Sequence, residues 1–252
     1  MASEILVLSG FGALFGRYAS AFILGALCGF PIGGKTVISF YENGELEKGE
    51  AELLSAVCNN AGAGFVIAGI GSAMCRNTAF GVALYAAQLI SAIITFFILK
   101  PFFIRTSNAT KNSDFEKIAI AEPIPAIISR AVPNAVTTML KVCGFVVLFE
   151  LLLSIIPIFT ESQAVTAIAS VLLEITSGVS ALLRLSIDPA NELLAKLGVF
   201  FAVGFGGLSV YMQLLSFISK KPLSTHRYII FKLLQAVICS TIGAFLLFSG
   251  IL

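Results

Sequence analysis

The sequence predicts an all-α polytopic membrane protein with an inverted repeat, in which each half has a re-entrant helical hairpin, a broken transmembrane helix and whole transmembrane helices. Of its 252 residues, 58% are hydrophobic and 12% are charged, whereas soluble domains carry ~25% charged residues. The apolar residues form seven segments, of which four are interrupted by glycine or polar clusters. The order interrupted, interrupted, whole occurs once in each half. A net charge of +2, with no basic stripe, argues against nucleic-acid binding.

The first interrupted segment, residues 11–40, contains "GFPIGG", and the second, residues 51–74, contains "NNAGAG". The whole segment that follows, residues 79–99, meets the ~20 apolar residues that a membrane helix needs. Non-helical backbone at membrane depth is tolerated only where protein or a water-filled cavity satisfies it. Together with the two interruptions of the second half, these interruptions predict a shared polar site.

The second half begins with a whole segment, residues 136–159. Two interrupted segments follow, residues 163–185 with "EITSG" and residues 193–218 with "GFGGLS", and a whole segment at residues 229–249 ends the series. We predict a first repeat at 1–100, a cytoplasmic connector at 101–130 and a second repeat at 131–252.

Aligning the two halves lays Gly33 on Gly178 and Gly62 on Gly207. Interrupted helices at equivalent positions of two repeats are the sequence signal for a transporter's binding site. Residue identity between the halves is low, so the repeat is predicted from pattern and spacing.

Basic residues predict the orientation, because Lys and Arg accumulate in cytoplasmic loops. The two basic stretches contain Lys100, Arg105, Lys111, Lys117 and Arg130, and then Lys220, Lys221 and Arg227. If both are cytoplasmic, the hairpin at 11–40 enters from the cytoplasm and the hairpin at 163–185 enters from outside. Arg184 and Lys196 then lie outside, where Asp188 and Glu192 can neutralise them.

The stretch "GFPIGGKT" also fits the phosphate-binding pattern G-x-x-x-x-G-K-[ST], with Gly29, Gly34, Lys35 and Thr36 in its fixed places. A P-loop follows a strand, whereas the preceding "ASAFILGALC" is typical of helix. The only candidate for the Mg²⁺ carboxylate, Glu150, lies in an apolar run too long for a strand. We interpret the pattern as fortuitous, so an ATP-driven machine is the weakest functional hypothesis.

Four motifs in order, "GFPIGGKT", "CNNAGAGFVIAGIG", "LLEITSGVSAL" and "GFGGLSVYMQ", resemble the YlbJ-type sporulation integral membrane proteins. The resemblance extends from Ala13 to Phe248, nearly the whole chain. It implies membership of the nucleoside-recognition gate group, whose architecture is shared with concentrative nucleoside transporters and with the membrane part of ferrous-iron transport proteins.

Two features depart from the family pattern. Ala61 and Ala63 stand where Ser and Pro are usual, which weakens the expectation of a hydroxyl group at that interruption. Because the chain begins just before the first hairpin, it is expected to be a short form or an incomplete member.

Polar residues at the four interruptions are the candidate site. The predicted substrate-binding residues are Lys35, Thr36, Glu174, Thr176, Ser177, Ser209 and Gln213. The predicted ion ligands are Asn59, Asn60 and Gly62, since amides and unwound carbonyls hold coupling cations. The predicted structural residues of the hairpin tips are Gly29, Pro31, Gly33, Gly34 and Gly178.

Each assignment has an alternative. Lys35 could extend to the interface, and Glu174 could form a structural pair with Lys35 instead of carrying a proton or binding Na⁺. Asn59 and Asn60 could cap the helix ends, and the Ser and Thr residues could bond across helices. His226 is the only histidine, which argues against a zinc site.

We expect an ion-coupled secondary transporter of a small polar solute, nucleoside-like by resemblance, in the plasma membrane. The alternative is a structural or assembly protein of the spore envelope that transports nothing. No nucleophile, base and orienting group occur together, so no enzyme is expected, nor a metal or a cofactor other than coupling Na⁺ or H⁺. The expected partners are the lipid bilayer, the solute and a possible second copy of the chain.

Overall fold

A computed structural model describes residues 18–104, 124–218 and 222–250. Its α-helices are α1 Ala19–Cys28, α2 Ile32–Glu42, α3 Lys48–Val57, α4 Thr78–Phe103, α5 Ile124–Phe159, α6 Gln163–Leu173, α7 Ile175–Leu185, α8 Glu192–Phe205, α9 Gly207–Leu215 and α10 Thr225–Phe248, with a π-helix at Gly64–Met74 between α3 and α4. The described residues form no strands, so the all-helical prediction is confirmed.

Four stretches are long and apolar enough to cross a membrane: Thr78–Phe103, Ile128–Phe159, Glu192–Leu215 and His226–Phe248. The α8–α9 stretch is the most enclosed: 61% of its most apolar part is buried, whereas only 11% of the most apolar part of α5 is buried. A mostly apolar surface on a helix of this length belongs in lipid or against another protein. The chain is a multi-pass membrane protein.

All four predicted interruptions are helix breaks. The α1–α2 hairpin turns at Gly29, whose φ of 77° is readily adopted by glycine. The α6–α7 hairpin turns at Glu174, which has extended backbone angles and whose carboxylate caps α7 by accepting a hydrogen bond from the Ser177 N–H. Both are pairs of packed helices.

The other two breaks interrupt longer helical stretches. Break 1, residues 58–62, separates α3 from the π-helix. Break 2 lies between α8 and α9. It consists of Gly206 and of Gly207, the first residue of α9, whose φ angles are 85° and 86°. Helix α10 packs against α3 and α4 of the first half and against α8 of the second half, so it connects the two halves of the chain.

Two helix ends differ from the predicted spans. Helix α4 continues to Phe103, and α5 begins at Ile124 instead of at residue 136, so both enter the predicted connector. The predicted spans cover only the apolar stretches. Helix α5 begins before its apolar stretch and includes Arg130 and Pro133, where the hydropathy is lower. Residues 11–17 of the first hairpin and Arg105, Lys111, Lys117, Lys220 and Lys221 lie outside the described residues.

Single-cysteine labelling tests the predicted orientation. Asn43 ends α2 and Asn191 precedes α8, so they mark the open ends of the two hairpins. In a background without Cys28, Cys58, Cys75, Cys143 and Cys239, we expect an impermeant maleimide to label Asn43→Cys only from the cytoplasm and Asn191→Cys only from outside. Labelling of both from one face would contradict the inverted arrangement.

Candidate functional site

The tip of the α1–α2 hairpin lies directly on break 1. A Cβ atom added to Gly29 would lie 2.6 Å from the backbone nitrogen of Gly62, and one added to Gly33 would lie 1.9 Å from the carbonyl oxygen of Cys58. A Cβ on Gly25 would collide with the same oxygen. Only glycine permits such backbone approach, so these residues hold the tip against the break.

The α6–α7 tip has the same relation to break 2. A Cβ on Gly207 would lie 3.1 Å from the Leu173 carbonyl oxygen and 3.3 Å from the Ile175 nitrogen. The ring of Phe30, at the first tip, lies against Gly206, where an added Cβ would be 3.0 Å from the ring. The two tips and the two breaks therefore form one continuous set of contacts.

A fully buried polar cluster surrounds break 1. Asn59, Asn60 and Lys232 are 0% exposed, and Gln235 is 1% exposed. The Lys232 ammonium donates to the Asn59 carbonyl oxygen at 3.0 Å and to Gln235 Oε1 at 2.9 Å. Gln235 Nε2 donates to Asn60 Oδ1 at 2.8 Å, which ties α10 to the break through side-chain hydrogen bonds.

Other carbonyl groups freed by break 1 also have donors. Asn60 Nδ2 donates to the Val57 oxygen at 2.7 Å, and Gln88 Nε2 from α4 donates to the Ala61 oxygen at 3.0 Å. The Gly62 oxygen accepts from the Val66 N–H. The non-helical backbone of break 1 is therefore stabilised by donors from three places: its own Asn60, helix α4 and helix α10.

Three buried oxygens in this region have no hydrogen-bond donor among the described residues: Asn59 Oδ1, Gln88 Oε1 and Gln213 Oε1. Asn59 also donates from Nδ2 to the Tyr228 hydroxyl at 2.9 Å. A buried acceptor without a donor is costly, so these oxygens mark places where a ligand's N–H, O–H or cation would be stabilised.

An ion pair between a buried carboxylate and a partly exposed arginine lies at the beginning of α10. The Glu52 carboxylate on α3, 1% exposed, accepts hydrogen bonds from Arg227 Nη1 at 2.6 Å and from the Ser224 N–H at 2.9 Å. These bonds hold the beginning of α10 against α3.

The predicted substrate residues are dispersed. The Lys35 ammonium donates to Thr138 Oγ1 at 2.8 Å and lies over the Phe217 ring, as does that of Lys141. The Thr36 hydroxyl donates to the carbonyl oxygen of Ile32 in its own helix. No ion pair joins Lys35 to Glu174 in the described structure.

The other predicted residues lie on α7 and α9. The Ser177 hydroxyl donates to the Glu150 carboxylate, and Thr176 is exposed because the buried face of α7 contains Ile175, Gly178 and Val179. Ser209 and Gln213 are buried and share a 3.4 Å hydrogen bond. Ser209 and Gln213 therefore lie among the buried polar residues, whereas Thr176 does not.

Lys232, Gln235 and Gln88 were not predicted, because residues 229–249 and 79–99 were treated as ordinary membrane helices. The signal was present in "YIIFKLLQAV": an ionisable residue inside an apolar helix is usually functional. Lys232 and Gln235 are three residues apart, which places them on one helix face.

Comparison with known proteins finds a relative of this chain among sporulation proteins. The chain is 22% identical over 247 residues to "Sporulation integral membrane protein YlbJ" of Bacillus subtilis, an alignment covering 85% of this chain. The predicted resemblance to the YlbJ-type proteins is confirmed. The chain spans 60% of that relative's length. No protein-family model matches the chain, and no solved structure matches it.

The glycine contacts predict a sharp contrast between two substitutions. Gly33→Ala would place a methyl group 1.9 Å from the Cys58 oxygen, whereas Gly64→Ala meets nothing within 4 Å. We expect Gly33→Ala to lower the thermal unfolding midpoint in detergent by about 2 °C or more, since overpacking costs ~1–3 kcal/mol. Gly64→Ala should leave it unchanged or raise it. Equal midpoints for the two variants would contradict the close approach.

Proposed function

We propose that this chain is the core of an ion-coupled secondary transporter for a small polar solute in the plasma membrane of a sporulating bacterium. The sporulation context comes from the name of the Bacillus subtilis relative. A nucleoside-like solute is what the resemblance of the four motifs implies.

The observation that carries the proposal is the contact between the two hairpin tips and the two helix breaks. If the hairpins enter the membrane from opposite faces, the groups at their tips lie between two movable barriers. Withdrawal of the α1–α2 tip from Gly62 would expose break 1 to one side, and withdrawal of the α6–α7 tip from Gly207 would expose break 2 to the other. Alternating access of this kind is the usual behaviour of inverted-repeat transporters.

The solute's hydrogen-bonding partners would come from the buried polar groups between the breaks. Gln213 Oε1, Gln88 Oε1 and Asn59 Oδ1 have no donor among the described residues, and these acceptors suit the N–H and O–H groups of a base or a sugar. Glu174 and Thr36, at the two hairpins, remain proposed contacts.

Break 1 is the proposed place for the coupling charge. Asn59, Asn60 and the carbonyl group of Gly62 are oxygen ligands of the type that coupling cations use. The charge there could be Na⁺, a transferred proton or the Lys232 ammonium, which already donates to the Asn59 oxygen.

A non-transporting assembly protein is the second candidate, and one observation favours it. The first tip contacts break 1 through backbone atoms at Gly29, Gly33 and Gly62, so the described arrangement is tightly closed at that point. A cavity of about 530 Å³ lies elsewhere, between α6, α7 and α8, and its lining is mainly apolar, including Ile168, Val171 and Phe201.

Uptake by proteoliposomes separates the two candidates. The purified chain is screened with radiolabelled nucleosides, nucleobases and amino acids, and a transported compound is then tested on variants. We expect Asn60→Ala and Glu174→Gln to reduce its uptake roughly tenfold or more. Asn60→Ala leaves the Val57 oxygen and the Gln235 amide without their partner at ~1–3 kcal/mol apiece, and 1.4 kcal/mol is tenfold. Glu174→Gln keeps an acceptor for the Ser177 N–H and removes the negative charge with which Glu174 would bind a cation or carry a proton.

Asn43→Ala is the matched control, because Asn43 is exposed and follows the end of α2, at the opposite end of that helix from the hairpin tip; its uptake should equal that of the wild type. Wild-type uptake in both buried variants, with no dependence on Na⁺ or pH gradients, would reject the coupled transporter in favour of the assembly protein.

A further inference from the structure

Lys232 is a basic residue in the middle of an apolar helix, enclosed by protein on all sides. It is 0% exposed and ranks among the largest fully buried side chains. Arg227, another basic residue of α10, is partly exposed and pairs with Glu52. Arg227 and Lys232 therefore have different surroundings on the same helix.

The described acidic residues leave Lys232 without a carboxylate partner. In the described structure, the Glu52 carboxylate binds Arg227, that of Glu192 binds Lys196, and that of Glu174 caps α7. No Asp or Glu of residues 18–104, 124–218 or 222–250 forms an ion pair with Lys232. A buried ammonium without a counter-ion is costly, so neighbouring dipoles must stabilise it.

Those dipoles come from oxygens of the types that bind Na⁺. One acceptor is the Asn59 carbonyl oxygen, freed by the loss of helical hydrogen bonding at break 1, and the other is the Gln235 amide oxygen. Unwound carbonyls and side-chain amides are the ligands of coupling cations in broken-helix transporters. An ammonium group presents three N–H donors to such oxygens.

We propose that the Lys232 ammonium is a built-in cation that occupies the ion site of break 1, so that this site binds no Na⁺ in the wild-type protein. Where it concerns coupling, this proposal rests on the proposed function, because a lysine in the ion site makes transport independent of Na⁺ at that site. The lysine would occupy the site in a transporter and in an assembly protein alike.

Removal of the side chain should turn the filled site into a vacant one. In Lys232→Ala the Asn59 and Gln235 oxygens lose their donor, and the space of the lysine stem opens behind them. A small alkylammonium ion supplies both the charge and part of the stem, and Na⁺ supplies the charge alone. Choline has no N–H donor and is too bulky to replace the lysine head group.

The experiment is thermal unfolding of the purified chain in detergent at constant ionic strength, with choline, Na⁺ or ethylammonium as the chloride salt. We expect the wild-type midpoint to be the same in all three salts. The Lys232→Ala midpoint should be lower in choline and should rise by about 3 °C or more in ethylammonium, and to a smaller extent in Na⁺, because a ligand of the folded state stabilises it by mass action.

Lys48→Ala is the control for general salt effects, because Lys48 is exposed at the beginning of α3; its midpoint should not respond to ethylammonium. Saturable stabilisation of the wild type by Na⁺ would overturn the proposal. So would a Lys232→Ala protein that melts at the wild-type temperature and responds to neither cation.

If Lys232→Ala does not fold, direct ²²Na⁺ binding to the wild type decides: no saturable binding supports the proposal and saturable binding refutes it. These measurements need no transported solute. Wild-type uptake in Asn60→Ala and Glu174→Gln with no dependence on Na⁺ or pH gradients, together with a Na⁺-insensitive wild-type midpoint, would reject the coupled transporter and keep the built-in cation.

Discussion

The structure depends on how the backbone carbonyl groups of break 1 are satisfied away from water. In a membrane interior, an unpaired carbonyl costs several kcal/mol, which is why irregular backbone there needs protein partners. Asn60, Gln88 and Lys232 donate to the Val57, Ala61 and Asn59 oxygens, respectively. These bonds come from the break itself, from α4 and from α10, so the break fixes how these helices pack.

Glycine residues of the α1–α2 hairpin allow that hairpin to pack directly on break 1. The Cys58 oxygen lies where Cβ atoms on Gly25 and Gly33 would be, and Gly29 lies against Gly62. Larger residues would push the α1–α2 hairpin away from break 1. The polar donors thus stabilise the break from one side, and the glycine-rich tip covers it from the other. This enclosure isolates the buried lysine from solvent.

Sequence reasoning located the breaks because glycine, proline and paired polar residues are unusual inside apolar segments. It placed the interruptions within "GFPIGG", "NNAGAG", "EITSG" and "GFGGLS", and a new helix begins within each of these stretches. It could not pair side chains across the fold: Lys35 donates to Thr138, 103 positions away in sequence. Nothing local in the sequence indicates that contact.

Lys232 was missed for a different reason. Hydropathy averages a window, and one lysine among Ile, Phe and Leu hardly lowers the mean, so α10 appeared to be an ordinary membrane helix. The start of α5 at Ile124 was missed because apolar length does not report where helical hydrogen bonding begins. The individual buried charge was the better indicator of the site.

The contact between Lys232 and break 1 can be measured directly by solid-state NMR in lipid bilayers. Asn59 and Asn60 are the only adjacent asparagines in the sequence, so ¹³C-carbonyl and ¹⁵N-amide labelling of asparagine selects the Asn59 carbonyl carbon. With ¹⁵Nζ-labelled lysine and dephasing pulses selective for the lysine amine ¹⁵N, which leave the bonded Asn60 amide ¹⁵N out, a hydrogen bond with a nitrogen-to-oxygen distance of 3.0 Å predicts dipolar dephasing of this carbon that disappears in Lys232→Arg made without labelled arginine. The absence of dephasing in the wild type would show that the ammonium does not occupy the break and would contradict the account.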